Sequence, residues 1–202
     1  MHRGTVYDAI VLAGGASRRL GGVDKASLEV GGRTLIERVL RALVEADQVV
    51  VVGPDRNLPR GVLGTSERPR GGGPVAGLAA GLELVEAPLV AVLACDLPFV
   101  TVATLRGLVS ELAADRAGRR DGAMLVDGSG QRQPLTAVYR TARLRAALES
   151  LVQMSDTPMR DVLQPLTMLD VEAPSGQAWD CDTWADVDRA RKRLDEHFVE
   201  ES

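Results

Sequence analysis

No apolar run in this chain approaches the ~20 residues that a bilayer-crossing helix needs. There are only two cysteines, Cys95 and Cys181. The first absence argues against a membrane span. The second rules out a disulfide framework and fits a reducing compartment, so a cytoplasmic protein is expected. A basic excess is also missing. Lys and Arg number 24 against 28 Asp and Glu, for a net charge of -4, so the electrostatic footprint of a nucleic-acid-binding protein is not there. Neither nucleic acid nor a membrane surface is an expected partner. The sequence shows no internal repeat and no low-complexity tract. Its start, Met1-His2-Arg3-Gly4, leads straight into a strand-like segment without a signal-peptide pattern.

What is present describes a globular enzyme-sized unit. A hydrophobic content of 45% with 26% charged residues is ordinary for a folded domain, and 202 residues fill one core, so residues 1–202 are read as a single domain. Arginines lie near glycines in several places, and forked guanidinium donors suit small phosphate-bearing ligands. Strand-like apolar runs cover Val6–Leu12, Gln48–Val52, Leu89–Leu93, Ala123–Val126 and Leu135–Tyr139, with Thr167–Val171 as an edge strand. Helical spacing marks Arg33–Ala46, Pro74–Val85, Val102–Ala114, Ala142–Leu151 and Thr183–Phe198. Apolar strands alternating with helices indicate an α/β fold of three layers, Rossmann-like, with a mostly parallel sheet and helices on both faces.

The first strand delivers Leu12-Ala13-Gly14-Gly15-Ala16-Ser17-Arg18-Arg19-Leu20-Gly21-Gly22-Val23-Asp24-Lys25 to the carboxyl edge of that sheet, where open α/β sheets bind ligands. Glycines let several backbone N–H groups turn toward one point, which makes an anion-binding concavity. Arg18, Arg19 and Lys25 add positive charge around it. Two known phosphate loops are excluded. Lys25 is followed by Ala26 and lacks the preceding glycine, which breaks the Walker pattern, and Gly14-Gly15-Ala16-Ser17 is not the dinucleotide fingerprint.

The segment from Leu12 to Lys25 resembles the opening motif of the molybdenum cofactor guanylyltransferases, relatives of the sugar-nucleotide pyrophosphorylases. The likeness continues in order through Gly73-Pro74-Val75-Ala76-Gly77, Cys95-Asp96-Leu97-Pro98 and Asp182-Thr183. It implies a nucleotidyltransferase that moves GMP from GTP to molybdopterin carrying molybdenum and releases pyrophosphate. It also implies Mg²⁺ as cofactor, GTP and molybdopterin as substrates, and proteins that deliver or receive the cofactor as partners. The nucleotide falls to residues of about 1–100 and the acceptor to about 101–202.

Residue by residue, the resemblance implies a catalytic set of Lys25, Asp96 and Arg19. Nucleotide contacts fall to Leu12, Ala13, Gly14, Gly15, Ser17, Arg18, Arg19, Lys25, Glu67, Gly73, Pro74, Gly77 and Asp96. Mg²⁺ falls to Asp96, with Asp182 as second ligand. Glu67 is the candidate for accepting from the N1–H and exocyclic amine of guanine, and Gly53 stands where relatives often carry Asn. Arg132 and Arg160 are candidates for the acceptor's phosphate. Each has a plainer reading beside it: a turn cap for Asp96, helix capping for Asp182, and solvated charges for Glu67, Arg132 and Arg160. Cys95 and Cys181, each preceding one of the aspartates, read as small buried hydrophobes. The competing functions are cytidylyl transfer to the same pterin, sugar-phosphate nucleotidyl transfer, and a nucleotide-binding partner subunit without turnover.

Overall fold

Six consecutive buried residues, Tyr7–Leu12, form β1 at the heart of the sheet. They are uniformly apolar but for Asp8, as a strand covered on both faces must be. The structure is a computed structural model, and it describes residues 5–15, 18–67, 70–174 and 176–200. Along the chain β1 is followed by a two-residue-per-strand hairpin, β2 (Glu29–Val30) and β3 (Arg33–Thr34), then by α1 (Leu35–Ala42) and β4 (Val49–Val52). Next come β5 (Val62–Thr65), α2 (Gly73–Leu82), β6 (Leu89–Ala94), α3 (Val102–Ala114), β7 (Gly122–Val126) and β8 (Arg132–Arg140). The last third holds α4 (Thr141–Glu149), α5 (Met159–Leu163), β9 (Met168–Glu172) and α6 (Trp184–Glu200).

Seven strands share one sheet in the order β5-β4-β1-β6-β8-β7-β9. All are parallel except β8, which runs antiparallel to both β6 and β7. The expected α/β fold with a mostly parallel sheet is therefore the observed one. Helices α1 and α3 cover one face over a core that includes Val39, Leu105 and Leu108. Helices α2, α4 and α5 cover the other, around Leu78, Leu144 and Val162. A third cluster, with Leu20, Leu35 and Val187, fastens α6 to the β2–β3 hairpin. Among the described residues no helix is long and apolar enough to cross a membrane.

Local chemistry explains the helix limits. α1 starts at a capping box in which Thr34 accepts from the Glu37 N–H at 3.3 Å and Glu37 accepts from the Thr34 N–H at 2.8 Å. It stops at Ala42, short of the Ala46 that apolar spacing suggests. α3 coincides with its expected bounds, Val102–Ala114, because Thr101 and Thr104 cap it in the same reciprocal way. α2 packs unusually close to the sheet. A Cβ on Gly81 would lie 2.8 Å from Ile10 Cγ2, so only glycine allows this approach of α2 to β1 and β4.

Parallel order places the ends of β1, β4 and β6 side by side. Ala13–Gly15, Gly53 and Cys95-Asp96 follow them directly, at one edge of the sheet. Because β8 is reversed, its beginning faces the end of β6, with Leu93 paired to Thr136. Leu135 thus reaches the same edge from the other half of the chain.

Candidate active site

A cleft of about 580 Å³ opens at this carboxyl edge. Eleven of the residues singled out in the sequence line it: Leu12, Ala13, Gly14, Gly15, Lys25, Glu67, Gly73, Pro74, Gly77, Asp96 and Asp182. The end of β1 contributes the backbone near one wall, and the start of α2 another. Pro74 sits in the first turn of α2, where a missing N–H costs nothing. Ser17 lies outside the described residues, as do Arg68 and Pro69 of a second glycine loop, Arg68-Pro69-Arg70-Gly71-Gly72-Gly73, which leads into α2. Arg18 begins a short helical turn, Arg18–Leu20.

The centre of the cleft is an ion-pair relay. Lys25 Nζ donates to Asp96 Oδ2 at 2.8 Å and also to Asp182 Oδ1. Arg19 approaches Asp182 from the open side, Nη1 to Oδ2 at 3.4 Å, with most of its side chain in solvent. Burial opposes the charge on Lys25, but the carboxylates of Asp96 and Asp182 more than offset it and hold the ammonium pKa above its ordinary value. Lys25 is therefore a fixed cation and not a proton acceptor at neutral pH. Asp180, which also lines the cleft, has its carboxyl pushed up by partial enclosure and then by the charges of Asp96 and Asp182.

Asp96 is 8% exposed, and its second oxygen, Oδ1, is buried without a hydrogen-bond partner. A buried carboxylate oxygen left in that state is costly and calls for a cation or donor. Among the described residues no group of three or more His, Cys, Asp or Glu side chains could by itself hold a metal. The oxygen donors of Asp96 and Asp182 suit a hard cation that takes its remaining ligands from phosphate and water. The capping role weighed for Asp182 belongs to its neighbour. Thr183 and Asp186 form the box at the start of α6, with Asp186 N donating to Thr183 Oγ1 at 3.2 Å and Thr183 N to Asp186 Oδ2 at 2.9 Å. Both cysteines are buried, and each thiol pKa is pushed up to about 12, by burial first and then by the charge of Asp96.

One residue, Arg56, had not been singled out. Arg56, after β4, donates from Nη2 to the Ala13 carbonyl at 2.9 Å and from Nη1 to Asp24 Oδ2 at 3.2 Å. Asp24 in turn accepts from the Ala26 N–H at 3.2 Å, fixing the helical turn that carries Lys25. Arg56 thus ties the two ends of the glycine loop together. The signal for it is weak: one arginine in a loop, forty-three positions from its carbonyl partner. Gly53 has a physical requirement. Its φ is +155°, and a Cβ would lie 2.6 Å from the Ala13 carbonyl oxygen.

Glu67 lines the cleft and accepts from the Gly71 N–H at 2.9 Å, so one of its oxygens already shapes the second glycine loop. Asp156 N donates to the Gly72 carbonyl at 2.9 Å, which brings the segment Asp156–Arg160 against that loop. Arg132 and Arg160 do not line the cleft. Arg132 makes two 3.0 Å bonds to Asp170 on β9, and Arg160 is an exposed partner of Asp161 at 3.6 Å.

A glycine loop closing on a lysine, opposite an aspartate at the end of a neighbouring parallel strand, shapes the cleft, and comparison with known proteins gives the class of the chain: a nucleotidyltransferase. Residues 9–171 match the MobA-like NTP transferase domain, and the chain belongs to that family. A Natronomonas pharaonis protein named "Probable molybdenum cofactor guanylyltransferase" is 31% identical, over 92% of this chain and 96% of its own. The molybdenum cofactor guanylyltransferase of Bordetella petrii is 33% identical over 73% of this chain and 78% of its own. Among solved structures, the molybdopterin-guanine dinucleotide biosynthesis protein A of Archaeoglobus fulgidus shares the fold, with a TM-score of 0.74 at 23% identity, covering 94% of this chain and 99% of that one.

Proposed function

We propose that this chain transfers GMP from GTP to molybdopterin carrying molybdenum, giving the guanine dinucleotide form of the cofactor and pyrophosphate. The observation that carries the reading is the position of Lys25, held between Asp96 and Asp182 at the end of the glycine loop, inside a cleft of about 580 Å³. In the reaction an oxygen of the pterin's terminal phosphate forms a bond to the α-phosphorus of GTP. The bond from that phosphorus to the bridging oxygen breaks, and pyrophosphate leaves with the electron pair. The attacking oxygen is already anionic, so no general base is needed, and the fixed charge of Lys25 suits this role.

The task left to the protein is to bring anions together and to meet charge growing on the leaving group. Ala13 spends its N–H on the Val52 carbonyl at 2.7 Å, so the backbone N–H groups of Gly14 and Gly15, which line the cleft, are the ones left for the nucleotide. An ammonium has three donors, and Lys25 spends two on carboxylates, which leaves one for an α-phosphoryl oxygen. Arg19, largely exposed at the rim, attracts the outer phosphates. Glu67, one oxygen of which is held by the Gly71 N–H, would accept from the guanine edge with the other. Asp96, through its unpartnered Oδ1, and Asp182 would hold Mg²⁺, which when bound supplies neutralising charge to the phosphates.

The test is incubation with molybdopterin and, separately, GTP, CTP, ATP and UTP, with the dinucleotide product identified by mass and pyrophosphate measured. GTP is expected to be the preferred donor. A preference for CTP overturns the base assignment, and no product with any nucleotide overturns the activity.

A further inference from the structure

A second cleft, of about 490 Å³, lies between α1, the segment after β6 and α6. It shares no lining residue with the catalytic cleft. Its walls carry Arg33, Arg38, Arg41 and Arg193, and none of the described residues lining it is acidic. In a chain whose net charge is -4, mixed charges are the expectation for any surface patch. Four guanidinium groups gathered in one concavity make a positive local field that favours an anion.

The arrangement is built rather than loosely solvated. Arg38 is fixed by donating from Nε to the Val30 carbonyl at 2.8 Å and from Nη2 to the Gly31 carbonyl at 3.0 Å. Burial and then the charge of Arg33 push its pKa below the ordinary arginine value, which places the two charges close together. Arg193 lies over the Phe99 ring, 5.3 Å from its centroid, and Phe99 stacks on Trp179 at 5.8 Å. Arg33 and Arg41, by contrast, are exposed and make no hydrogen bond or ion pair within 4 Å among the described residues. Glu37 feels the charge of Arg33, but one of its carboxylate oxygens is engaged by the Thr34 N–H.

We propose that this cleft is a second anion site that takes a phosphate-bearing small molecule. Half-buried guanidinium groups, Arg38 and Arg193, beside exposed and extendable ones, Arg33 and Arg41, suit the several oxygens of a phosphate or pyrophosphate group. Its volume is in the range of small-molecule pockets. The same two segments wall both clefts. The stretch after β6 runs from Asp96 in the first to Phe99 and Thr101 in the second, and the chain around α6 runs from Asp182 to Arg193. The two clefts are therefore joined through two stretches of chain.

The probe is inorganic pyrophosphate, titrated by calorimetry in the presence of a chelator. Wild-type protein is expected to show two sites and the Arg33→Ser/Arg41→Ser variant one. In a Lys25→Ala background, which weakens the catalytic cleft, binding should persist. It should fall about tenfold or more when Arg33→Ser and Arg41→Ser are added, the loss expected for charge-assisted bonds. A charge-matched control, Arg116→Ser/Arg119→Ser in the same background, removes two exposed arginines elsewhere and should leave binding unchanged. Equal affinity with and without Arg33 and Arg41, equal losses in the control, or no binding to Lys25→Ala protein would each overturn the proposal. None of these outcomes depends on which nucleotide the catalytic cleft uses.

Discussion

Arg56 donates to the Ala13 carbonyl at 2.9 Å, and its guanidinium also reaches Asp24, one residue before Lys25. The end of β1 and the start of the turn carrying Lys25 are therefore clamped by one side chain, only 14% of which is exposed. Replacing it by alanine leaves a carbonyl and a carboxylate without their donor, a loss of about 1–3 kcal/mol. Arg56→Lys keeps the charge but not the fork, so it is expected to fold well and to lower kcat more than it raises KM. Thermal melts and steady-state kinetics of the two variants check this; wild-type kcat in Arg56→Lys would contradict it.

Lys25→Ala and Asp96→Asn are each expected to lose about two to three orders of magnitude in kcat, the usual effect of removing one group that meets charge in the transition state. Circular dichroism should show folded protein in both cases. Pyrophosphate release near the wild-type rate in either variant would remove the ion-pair relay from the mechanism.

Asp182 and Thr183 are adjacent but serve different ends. Asp182→Asn should leave the melting temperature close to wild type and depress turnover. Thr183→Ala should cost about 1 kcal/mol of stability through the lost cap of α6 and change turnover little. Denaturant unfolding and turnover of the pair distinguish them, and wild-type turnover in Asp182→Asn would remove its carboxylate from the site.

Gly53→Asn is expected to destabilise the protein by about 1–3 kcal/mol, since it places a Cβ 2.6 Å from the Ala13 carbonyl oxygen at a φ of +155°. It should raise KM for every nucleotide and sharpen preference for none. Competition assays among GTP, CTP and ATP test this.

The chain has two tyrosines, and both hydroxyls resist ionisation. Burial first, then the charge of Glu45, pushes Tyr7 up to about 12, and burial alone raises Tyr139. Folded pKa values above the unfolded value of 10.0 mean that stability is intact below pH 10 and is lost as pH rises beyond it. A titration at 295 nm should show no tyrosinate step near pH 10, and ionisation should coincide with unfolding.

Much of this architecture is legible in the sequence because burial writes it there. β1, β4 and β6 are continuous apolar runs, and Val102–Ala114 has both spacing and caps. The hairpin β2–β3 and the five-residue α5 are too short for periodicity to register. β5 is a half-exposed edge strand interrupted by Gly64. The reversal of β8 is invisible to pattern, because alternation records which face is buried and not which way the chain runs. At the site, Lys25 and Asp96 stand out through their motifs. Arg56 does not, since its importance lies in a contact between two loops that only the sheet brings together.

The reversed strand has a consequence for how such a protein diversifies. The β7–β8 hairpin turns through Asp127–Gln131, and Leu135 a few residues later already lines the catalytic cleft. The half of the sheet that holds β1, β4, β5 and β6 is locked into parallel crossovers, where an insertion would disturb buried strands. A hairpin tip can lengthen or shorten without repacking anything. What meets the cleft from this side can thus change by editing one turn, while the loop that carries Lys25 stays as it is.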